Sequence, residues 1–339
     1  MTALVEELVG ARGLLSDLDL GGGRARELLA LAARSKGAGD AAGRPLEGRS
    51  IALVFERLST RSRCALEAAA GELGARTTFL DASTLHLGSQ ESPGDTARAL
   101  SEIFDGIVYA GAHATLVQMA GAASVPVWNA GTERWRPVQA LADVLTMREY
   151  GGDEPSEIAF CFTGDARAPI AASLLVTGAS LGMDVRIASP AHMRPSSDVL
   201  RGVRDLARRS GARVLVTEGA RDAVAGAGFV HTAAWLRADE TRSSWITRVP
   251  NLVPYRVTDQ LMEATGRPDA RFMHDLPAVH DAGSALGRRV HQQFGLNGAE
   301  VTEAVFRSPR SVVSRQVANC GPVFKAVLLS TFERDVSGT

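Results

Sequence analysis

The stretch that decides the fold of this chain is Phe55-Glu-Arg-Leu-Ser-Thr-Arg-Ser-Arg63. It ends an apolar run, 51–55, whose continuous rather than alternating hydrophobicity is typical of a buried parallel strand. Apolar residues then recur at helical spacing from Cys64 to Leu73. A strand that passes through a short polar segment into a helix predicts one βα unit of an α/β domain.

The polar segment between strand and helix is dense in groups that bind anions. It holds the hydroxyls of Ser59, Thr60 and Ser62 and the guanidiniums of Arg61 and Arg63. A helix that begins here points unpaired N–H groups and the positive end of its dipole at the space in front of it. We therefore predict a phosphate or carboxylate site, with Arg63 as a structural guanidinium behind the loop. The alternative is an ordinary Ser/Thr N-cap with solvated arginines.

Length and composition bound the class of protein. At 339 residues the chain has the length of two ordinary domains, and 45% hydrophobic with 22% charged residues is typical of a soluble globular protein. A formal charge of −1 gives no reason to expect a nucleic acid or a membrane as partner. The three cysteines lack a Cys-x-x-Cys pairing, which favours reduced thiols in a cytoplasmic protein. We expect no metal and no cofactor, and no signal peptide or membrane-length apolar run stands out.

Strand-like and helical runs alternate along most of the chain. Strands are predicted at 50–56, 75–81, 106–111, 126–130, 157–163, 184–188, 213–217, 228–232 and 271–275. Helices are predicted near 61–74, 95–104, 114–122, 136–149, 169–181, 197–210, 257–264 and 311–335, and the first fifty residues read as helices with Ser16 as a candidate cap. This order predicts an α/β fold with two doubly wound parallel-sheet domains. Their ligands are expected at the carboxyl ends of the strands, around a shared cleft.

The chain resembles the aspartate/ornithine carbamoyltransferase family, and most closely its ornithine carbamoyltransferases. Residues 55–63 match the carbamoyl-phosphate signature Phe-x-x-x-Ser-Thr-Arg-Thr-Arg. Further matches follow in order at 91–98, 124–129, 141–147, 164–167, 274–278 and 300–306. The resemblance implies a carbamoyl-phosphate-binding-like domain over 1–149 and an acceptor-binding-like domain over 150–310. It also implies a C-terminal helix, 311–339, that packs back on the first domain.

The resemblance assigns a donor site, part of which has been rebuilt. The phosphate-binding positions of the family signature are occupied by Ser59, Thr60, Arg61 and Ser62.

Three other family positions differ. The Arg that members carry after the third strand is Ala110, their His-Pro-Thr-Gln reads Arg136-Pro-Val-Gln139, and their late Arg aligns with Cys320. Losing one oxyanion donor typically costs ~10²–10³ in rate. We predict that Arg136 compensates in part and that Gln139 helps to polarise the carbonyl, with Arg61 completing the donor-side catalytic set. The alternatives are a surface arginine at a helix start and, for Cys320, a small buried hydrophobe rather than a nucleophile.

The acceptor side has changed as well. Ornithine carbamoyltransferases carry Asn residues after Gly-Asp-Ala-Arg, an Asp-x-x-x-Ser-Met-Gly loop and His-Cys-Leu-Pro. Here these read Ala168-Pro169, the segment Ala233-Ala-Trp-Leu-Arg-Ala-Asp239, and His274-Asp-Leu-Pro277. The groups expected to hold the amino-acid end of ornithine are therefore missing, and ornithine is disfavoured as the acceptor.

A carboxylate is absent at position 233 but present at Asp275. If the two positions face each other across the pocket, the carboxylate has moved rather than vanished, and we predict a catalytic role for Asp275. Arg237 is a candidate clamp for an acceptor carboxylate, and the alternative for Arg237 and Asp239 is a solvated loop. The remaining residues predicted to bind substrate are Asp165, His274, Leu276 and Cys320.

His86 and Gln90 lie in segment 84–91, which matches the loop that a neighbouring subunit inserts into the site in this family. Both are predicted to contact substrate, and the alternative for His86 is a capping role. The resemblance implies a homotrimer with shared active sites.

The sequence thus predicts a transferase with a phosphorylated small-molecule donor and an amine acceptor. It would move a carbamoyl or related acyl group from carbamoyl phosphate, or a similar donor, to an amine other than ornithine. The alternatives are a non-catalytic homologue that binds a phosphorylated metabolite and a different reaction that expels phosphate. A dinucleotide dehydrogenase is disfavoured, because no Gly-x-Gly-x-x-Gly follows a strand.

Overall fold

The computed structural model describes residues 13–37, 43–56, 59–81, 85–237 and 240–337. The chain forms two compact units. The first comprises the residues up to Leu145 and those from Val317 onward, and the second runs from Thr146 to Gln316. Each is described by itself below.

Some sequence predictions fall outside the described residues. They concern Arg57 and Leu58 of the deciding stretch, Thr84 of segment 84–91, Asp239, and the helical reading of residues 1–12.

The first unit is built on a parallel sheet. Its described strands are β1 (Gly13–Leu14), β2 (Ser50–Phe55), β3 (Arg76–Asp81), β4 (Gly106–Gly111) and β5 (Val127–Thr132). Their spatial order is β1-β5-β4-β2-β3, and every neighbouring pair is parallel. The connecting helices are α1 (Gly21–Gly37), α2 (Thr60–Glu72), α3 (Pro93–Ser101), α4 (His113–Ala122) and α5 (Pro137–Gly151). The inner strands β2 and β4 are buried almost throughout, as their continuous apolar runs predict, whereas the edge strand β3 is partly exposed.

The second unit repeats this plan. Its described strands are β6 (Ala159–Thr163), β7 (Asp184–Ala188), β8 (Arg213–Thr217), β9 (Phe229–Ala233) and β10 (Arg271–Asp275). They form a parallel sheet in the order β10-β9-β6-β7-β8. The helices are α6 (Pro169–Leu181), α7 (Ser197–Ser210), α8 (Ala220–Val224), α9 (Arg242–Leu252), α10 (Asp259–Glu263), α11 (Ala285–Phe294), α12 (Glu303–Phe306) and α13 (Val313–Ser337). The predicted α/β class with two doubly wound parallel sheets is confirmed.

From Val317 onward, helix α13 belongs to the first unit. The indole Nε1 of Trp128 donates to Thr331 Oγ1 at 3.1 Å, and its ring lies 5.7 Å from that of Phe332. Lys36 Nζ donates to the buried Asn319 at 2.7 Å. These contacts fix the helix on which Cys320 stands.

Two predictions for secondary structure were wrong. Residues 13–14, read as helical, form β1 beside β5. Ser16 precedes a short 3₁₀ turn, and its N–H and its hydroxyl both donate to the Asp19 carboxylate. Helices α8, α9, α11 and α12 were not predicted. In α11 only Leu286, Val290 and Phe294 repeat on one face, a weak signal among polar neighbours, although all three pack in a core cluster of the second unit.

Among the described helices, none combines the length and apolar character that crossing a bilayer requires.

Candidate functional site

The segment that begins α2 presents unshielded donors. Ser59 precedes the first helical residue, yet its hydroxyl donates to Ser62 Oγ at 2.9 Å and makes no hydrogen bond to the backbone of the first turn. Thr60 and Arg61 are exposed, and Ser62 is half-buried. The first-turn N–H groups are therefore not capped by the Ser59 side chain, which is the arrangement an external anion needs.

Arg63 has a structural position, as expected from the sequence. Its Nε donates to Glu67 Oε1 at 3.0 Å, and its guanidinium lies 3.7 Å from the centre of the Phe79 ring. Both contacts hold Arg63 against the helix and the neighbouring strand β3, so the exposed guanidinium of this segment is that of Arg61.

A small pocket at the carboxyl edge of the first sheet brings several predicted residues together. Its wall is formed by Ser62, Asn129, Ala130, Arg136, Val138, Gln139, Cys320 and Phe324. Ser62 comes from the anion segment, Arg136 and Gln139 from the start of α5, and Cys320 from α13. Residues far apart in the sequence thus meet where the strands end, as expected for an α/β sheet.

Arg136 lies beside the position at which the family Arg is missing. Its Nη1 is 3.7 Å from the point that a β-carbon on Gly131 would occupy. Gly131 is the register partner of Ala110 on the adjacent strand. The Arg136 guanidinium therefore lies next to the strand that pairs with Ala110.

Gln139 is oriented by a carboxylate that the sequence predictions did not include. Its Nε2 donates to Asp143 Oδ1 at 2.8 Å, and Asp143 is completely buried. Because a carboxylate only accepts, this bond places the amide oxygen of Gln139 on the other side, where Cys320 Sγ approaches it at 3.5 Å. The i, i+4 spacing of Gln139 and Asp143 on one helix is a signal that could have indicated the pair.

The end of β4 is fixed by neighbouring side chains. The N–H of Ala112 donates to the Tyr109 hydroxyl and to Glu56, each at 3.0 Å. Burial and then the hydrogen bond to Glu56 raise the pKa of Tyr109 well above its ordinary value, so the phenol stays protonated.

At the start of α4, which follows β4, a carboxylate of the chain itself accepts from the backbone. Both carboxylate oxygens of Glu133 accept from the N–H of His113, at 2.9 and 3.0 Å. This end of α4 is therefore satisfied by the chain itself, unlike the start of α2.

His86 and Gln90 lie on an exposed turn. The carbonyl of His86 accepts from the N–H groups of Ser89, Gln90 and Glu91, and both predicted side chains are exposed. Neither residue belongs to the wall of the pocket described above.

Asp165 follows the first strand of the second sheet and is paired with Arg167. The guanidinium donates twice, from Nε to Oδ1 at 2.8 Å and from Nη2 to Oδ2 at 2.6 Å. This bond raises the pKa of Arg167 above its ordinary value. A substrate that reaches Asp165 must share it with Arg167.

The loop after β9 is fixed by hydrogen bonds from Arg248. Arg248 Nη1 donates to the carbonyl of Trp235 at 2.9 Å and to Glu240 Oε2 at 2.8 Å. Glu240 Oε2 also accepts from the N–H of Arg237 at 3.3 Å. The side chain of Arg237 is exposed, so the loop presents it to solvent.

Ala233 and Asp275 are register partners on the adjacent strands β9 and β10. The two positions therefore lie side by side on adjacent strands. Asp275 is half-buried, and Leu276 packs against a core cluster.

The His274 side chain is not open to a substrate. It is completely buried, and its Nε2 lies 3.2 Å from Oε1 of Glu300, which is buried as well. The sequence predictions did not include Glu300, because it lies 26 residues away and no local spacing connects it with His274.

Within the described residues, no group of three or more His, Cys, Asp or Glu side chains is arranged to hold a metal ion.

Two protein-family models match the chain. Residues 12–149 match the carbamoyl-P binding domain of aspartate/ornithine carbamoyltransferase, and residues 156–331 match its Asp/Orn binding domain. An ornithine carbamoyltransferase from Cutibacterium acnes is 44% identical over 289 residues, which cover 84% of this chain and 86% of the relative. A catabolic ornithine carbamoyltransferase from Pseudomonas putida is 43% identical with the same coverage.

Solved structures agree with these matches. The ornithine carbamoyltransferase from Pyrococcus furiosus has a TM-score of 0.84 at 31% identity, covering 94% of this chain and 96% of its own. The anabolic enzyme from Campylobacter jejuni has a TM-score of 0.83 at 26% identity, covering 95% of this chain and 99% of its own.

Proposed function

Because the chain belongs to the aspartate/ornithine carbamoyltransferase family, we propose that it transfers a carbamoyl or related acyl group from carbamoyl phosphate, or a similar phosphorylated donor, to an amine other than ornithine. The family and its transferase chemistry follow from the matches, whereas the acceptor and the roles of individual residues are the proposal. The relatives bear the name ornithine carbamoyltransferase, so the case for another acceptor depends on this chain's own side chains.

The phosphate of the donor binds at the start of α2. Ser59, Thr60 and Ser62 supply hydroxyls, Arg61 supplies an exposed guanidinium, and the first-turn N–H groups complete the cradle. This binding neutralises the leaving group before and during its departure.

The observation that carries the proposal is the position of Arg136. Its guanidinium shares a pocket with Ser62 of the phosphate segment and lies beside Gly131, next to the Ala110 position. A fixed cation at this point stabilises the negative charge that develops on the carbonyl oxygen of the donor. A planar guanidinium does so with two parallel donors, which the imidazole of the family's His does not offer.

Gln139 meets the other side of the transferred group. Its amide is held by Asp143 with the oxygen turned away from that carboxylate, so it accepts from the NH₂ of a carbamoyl group. Its second N–H remains for the carbonyl oxygen. Cys320, 3.5 Å from Gln139 Oε1, fills the space where the family's late Arg would stand and contacts the donor without attacking it.

The acceptor binds in the second unit. Asp275 accepts the proton from the attacking amine, Arg237 holds an anionic group of the acceptor, and Asp165 and Leu276 line its path. His274 contributes through its position behind Asp275. Ornithine is disfavoured because Ala168, Pro169 and Ala233 cannot make the polar contacts that an α-amino-acid end requires.

The reaction then balances as an acyl transfer. The amine nitrogen forms a bond to the carbonyl carbon, the bond from that carbon to the phosphate oxygen breaks, and phosphate leaves with the electron pair. The proton lost by the amine passes to the Asp275 carboxylate.

We also propose that segment 84–91, with His86 and Gln90, completes the site of a neighbouring copy in a homotrimer. Its two side chains are exposed on their own subunit. Light scattering of the purified protein tests the trimer, and a monomer would leave this segment without its proposed role.

A turnover assay tests the proposal. Phosphate release from carbamoyl phosphate is followed over a panel of L-ornithine, L-lysine, putrescine, agmatine and simple alkyl and aryl amines, with mass spectrometry of each product. We expect at least one amine to exceed ornithine by ~10-fold or more in kcat/KM, a difference of the size that one or two pocket contacts supply. Ornithine as the best substrate would reject the acceptor proposal but not the transferase.

The second candidate function is a non-catalytic homologue that senses a phosphorylated metabolite, and the loss of the family Arg residues at Ala110 and Cys320 favours it. Calorimetric binding of carbamoyl phosphate without turnover on any amine of the panel would select this candidate.

A further inference from the structure

One carboxylate oxygen ties together both ends of a short turn in the second unit. Glu300 Oε1 accepts from the N–H of Val279 at 2.5 Å and lies 3.2 Å from Nε2 of His274. His274 immediately precedes residues 275–278, and Val279 immediately follows them. The turn that carries Asp275 is therefore closed at its base by Glu300.

The bond is made without access to water. The side chains of His274 and Glu300 are both 0% exposed, and Glu300 Oε2 has no hydrogen-bond partner in the part of the chain that the structure describes. Burying a carboxylate that is only partly satisfied is costly. A neutral, well-packed side chain at this position would serve simple stability better.

Glu300 stands on a fixed base. The carbonyl of Glu300 accepts from the N–H of Val257 at 2.9 Å, the Val257 carbonyl accepts from the N–H of Thr302 at 3.0 Å, and the Ala299 N–H donates to the Val279 carbonyl at 2.6 Å. The backbone that carries the Glu300 carboxylate is therefore fixed by its own hydrogen bonds, and the carboxylate can restrain the turn.

The other side of His274 is held as well. Its backbone N–H donates to Oε1 of the buried Gln316 at 2.9 Å. With the imidazole bonded to Glu300 and the backbone bonded to Gln316, the residue before Asp275 has both its main chain and its side chain fixed. Asp275 follows directly, as the last residue of β10.

We propose that Glu300 is a positioning residue for the transfer reaction, acting through His274 and Val279 to aim the Asp275 carboxylate at the attacking amine. This inference rests on the role proposed above for Asp275. A misplacement of about 1 Å at a reacting group can cost ~10²-fold in rate, which gives a reason for keeping a costly buried carboxylate at this position.

A double-mutant cycle tests the inference. The variants are Glu300→Gln, Asp275→Asn and both together, assayed with carbamoyl phosphate and the amine of the panel that gives the highest kcat/KM with the native protein. Glu300→Gln keeps an oxygen that can accept both bonds but removes the charge that strengthens them, and we expect kcat to fall ~10-fold or more while KM for carbamoyl phosphate stays unchanged. In the Asp275→Asn background the same change should have almost no further effect. Multiplying effects in the double variant would overturn the inference.

The control is Glu303→Gln, because Glu303 lies three residues further on and pairs only with the exposed Arg307 among the described residues. It should leave both kcat and KM unchanged.

A second measurement separates this inference from the proposed function. If no amine is turned over, hydrogen exchange is measured on the peptide 274–280 in the native protein, Glu300→Gln and Glu303→Gln. Faster exchange in Glu300→Gln alone supports the anchoring of the turn, whereas equal exchange in all three overturns it.

Discussion

The guanidinium of Arg136 lies over Gly131, with Nη1 3.7 Å from the point that a β-carbon on Gly131 would occupy. Gly131 in turn pairs with Ala110 on the neighbouring strand. A β-carbon at position 131 would be in ordinary van der Waals contact with the guanidinium. Glycine is favoured there by the local φ of +140°.

The sequence resemblance implies a family carboxylate at position 233, where this chain has Ala233, and the register partner of Ala233 is Asp275. Together with the replacements that the resemblance implies at Ala110 and Arg136, we interpret this as a site that has been rearranged around a different substrate rather than abandoned.

The first prediction concerns Arg136. Arg136→Met should lower kcat by ~10²–10³, because it removes a fixed donor to the developing oxyanion. Arg134→Met is the matched control: Arg134 stacks on Trp135 at 6.0 Å and does not belong to the pocket wall. Steady-state kinetics with carbamoyl phosphate decide between them, and equal rates in the two variants would remove Arg136 from the mechanism.

A further set of variants tests whether positions 110 and 136 supply one function. Ala110→Arg alone should lower turnover, because two guanidiniums would compete for one place. Combined with Arg136→His, which restores the family residues at both positions, it should recover at least part of the loss. Simple addition of the two single effects would contradict the idea that positions 110 and 136 supply one function.

The second prediction uses the thiol of Cys320. Cys320 lines the pocket that also contains Arg136 and Gln139, Cys64 is exposed, and Cys161 is buried. Burial raises the pKa of the Cys161 thiol to about 12, so it should not react. In a Cys64→Ala background, alkylation by iodoacetamide should occur at Cys320 and slow by ~10-fold or more with saturating carbamoyl phosphate. Mass spectrometry of the labelled peptides measures the rate, and an unprotected Cys320 would place the donor elsewhere.

The third prediction concerns the acceptor. The double change Ala233→Asp with Asp275→Cys returns the carboxylate to the family position and the family Cys to the turn. We expect it to raise kcat/KM for ornithine relative to the native acceptor by ~10-fold or more. The single change Asp275→Cys is the control and should lower turnover with every amine. An unchanged ratio of the two acceptors in the double variant would show that these positions do not set specificity.

The fourth prediction is a pH dependence of stability. Asp105, just before β4, accepts from Arg49 Nη1 at 2.7 Å and from the Ser50 N–H at 2.8 Å. Burial alone would raise the pKa of Asp105, but the hydrogen bonds from Arg49 and Ser50 outweigh it and lower the pKa below its ordinary value.

A lowered pKa in the folded state means that Asp105 stabilises the fold above its unfolded pKa and loses this effect as the pH falls through the folded value. Asp105→Asn should therefore cost about 1 kcal/mol of unfolding free energy near pH 7. The difference should shrink as the pH falls below about 4. Urea titrations at several pH values measure it, and a cost independent of pH would contradict the assignment.

Much of the fold was predictable because its signals are local. The strand predicted at 50–56 is Ser50–Phe55, and that at 271–275 is Arg271–Asp275. The continuous apolar runs that buried strands require are read directly from the sequence. The two-residue strand β1 has no such run, and it exists only because β5 offers an edge to pair with.

The candidate site divides in the same way. The clustering of Ser59 to Ser62 before a helix is visible in the sequence, and the resemblance to the family implies a change from Arg at Ala110. The nearness of Arg136 to Gly131, the pairing of Ala233 with Asp275, and the bond between Glu300 and His274 are not visible there. They depend on strand register and on burial, which bring together residues whose separation in the sequence follows no local pattern.

The most direct test of the account is a calorimetric titration of the native protein and of Arg61→Ala with phosphate and with carbamoyl phosphate. Arg209→Ala, an exposed arginine in the second unit, is the control. The account predicts binding to the native protein and to Arg209→Ala, and a loss of ~10-fold or more in affinity in Arg61→Ala. No binding to the native protein, or equal affinity in all three, would contradict the claim that an anion binds where β2 passes into α2.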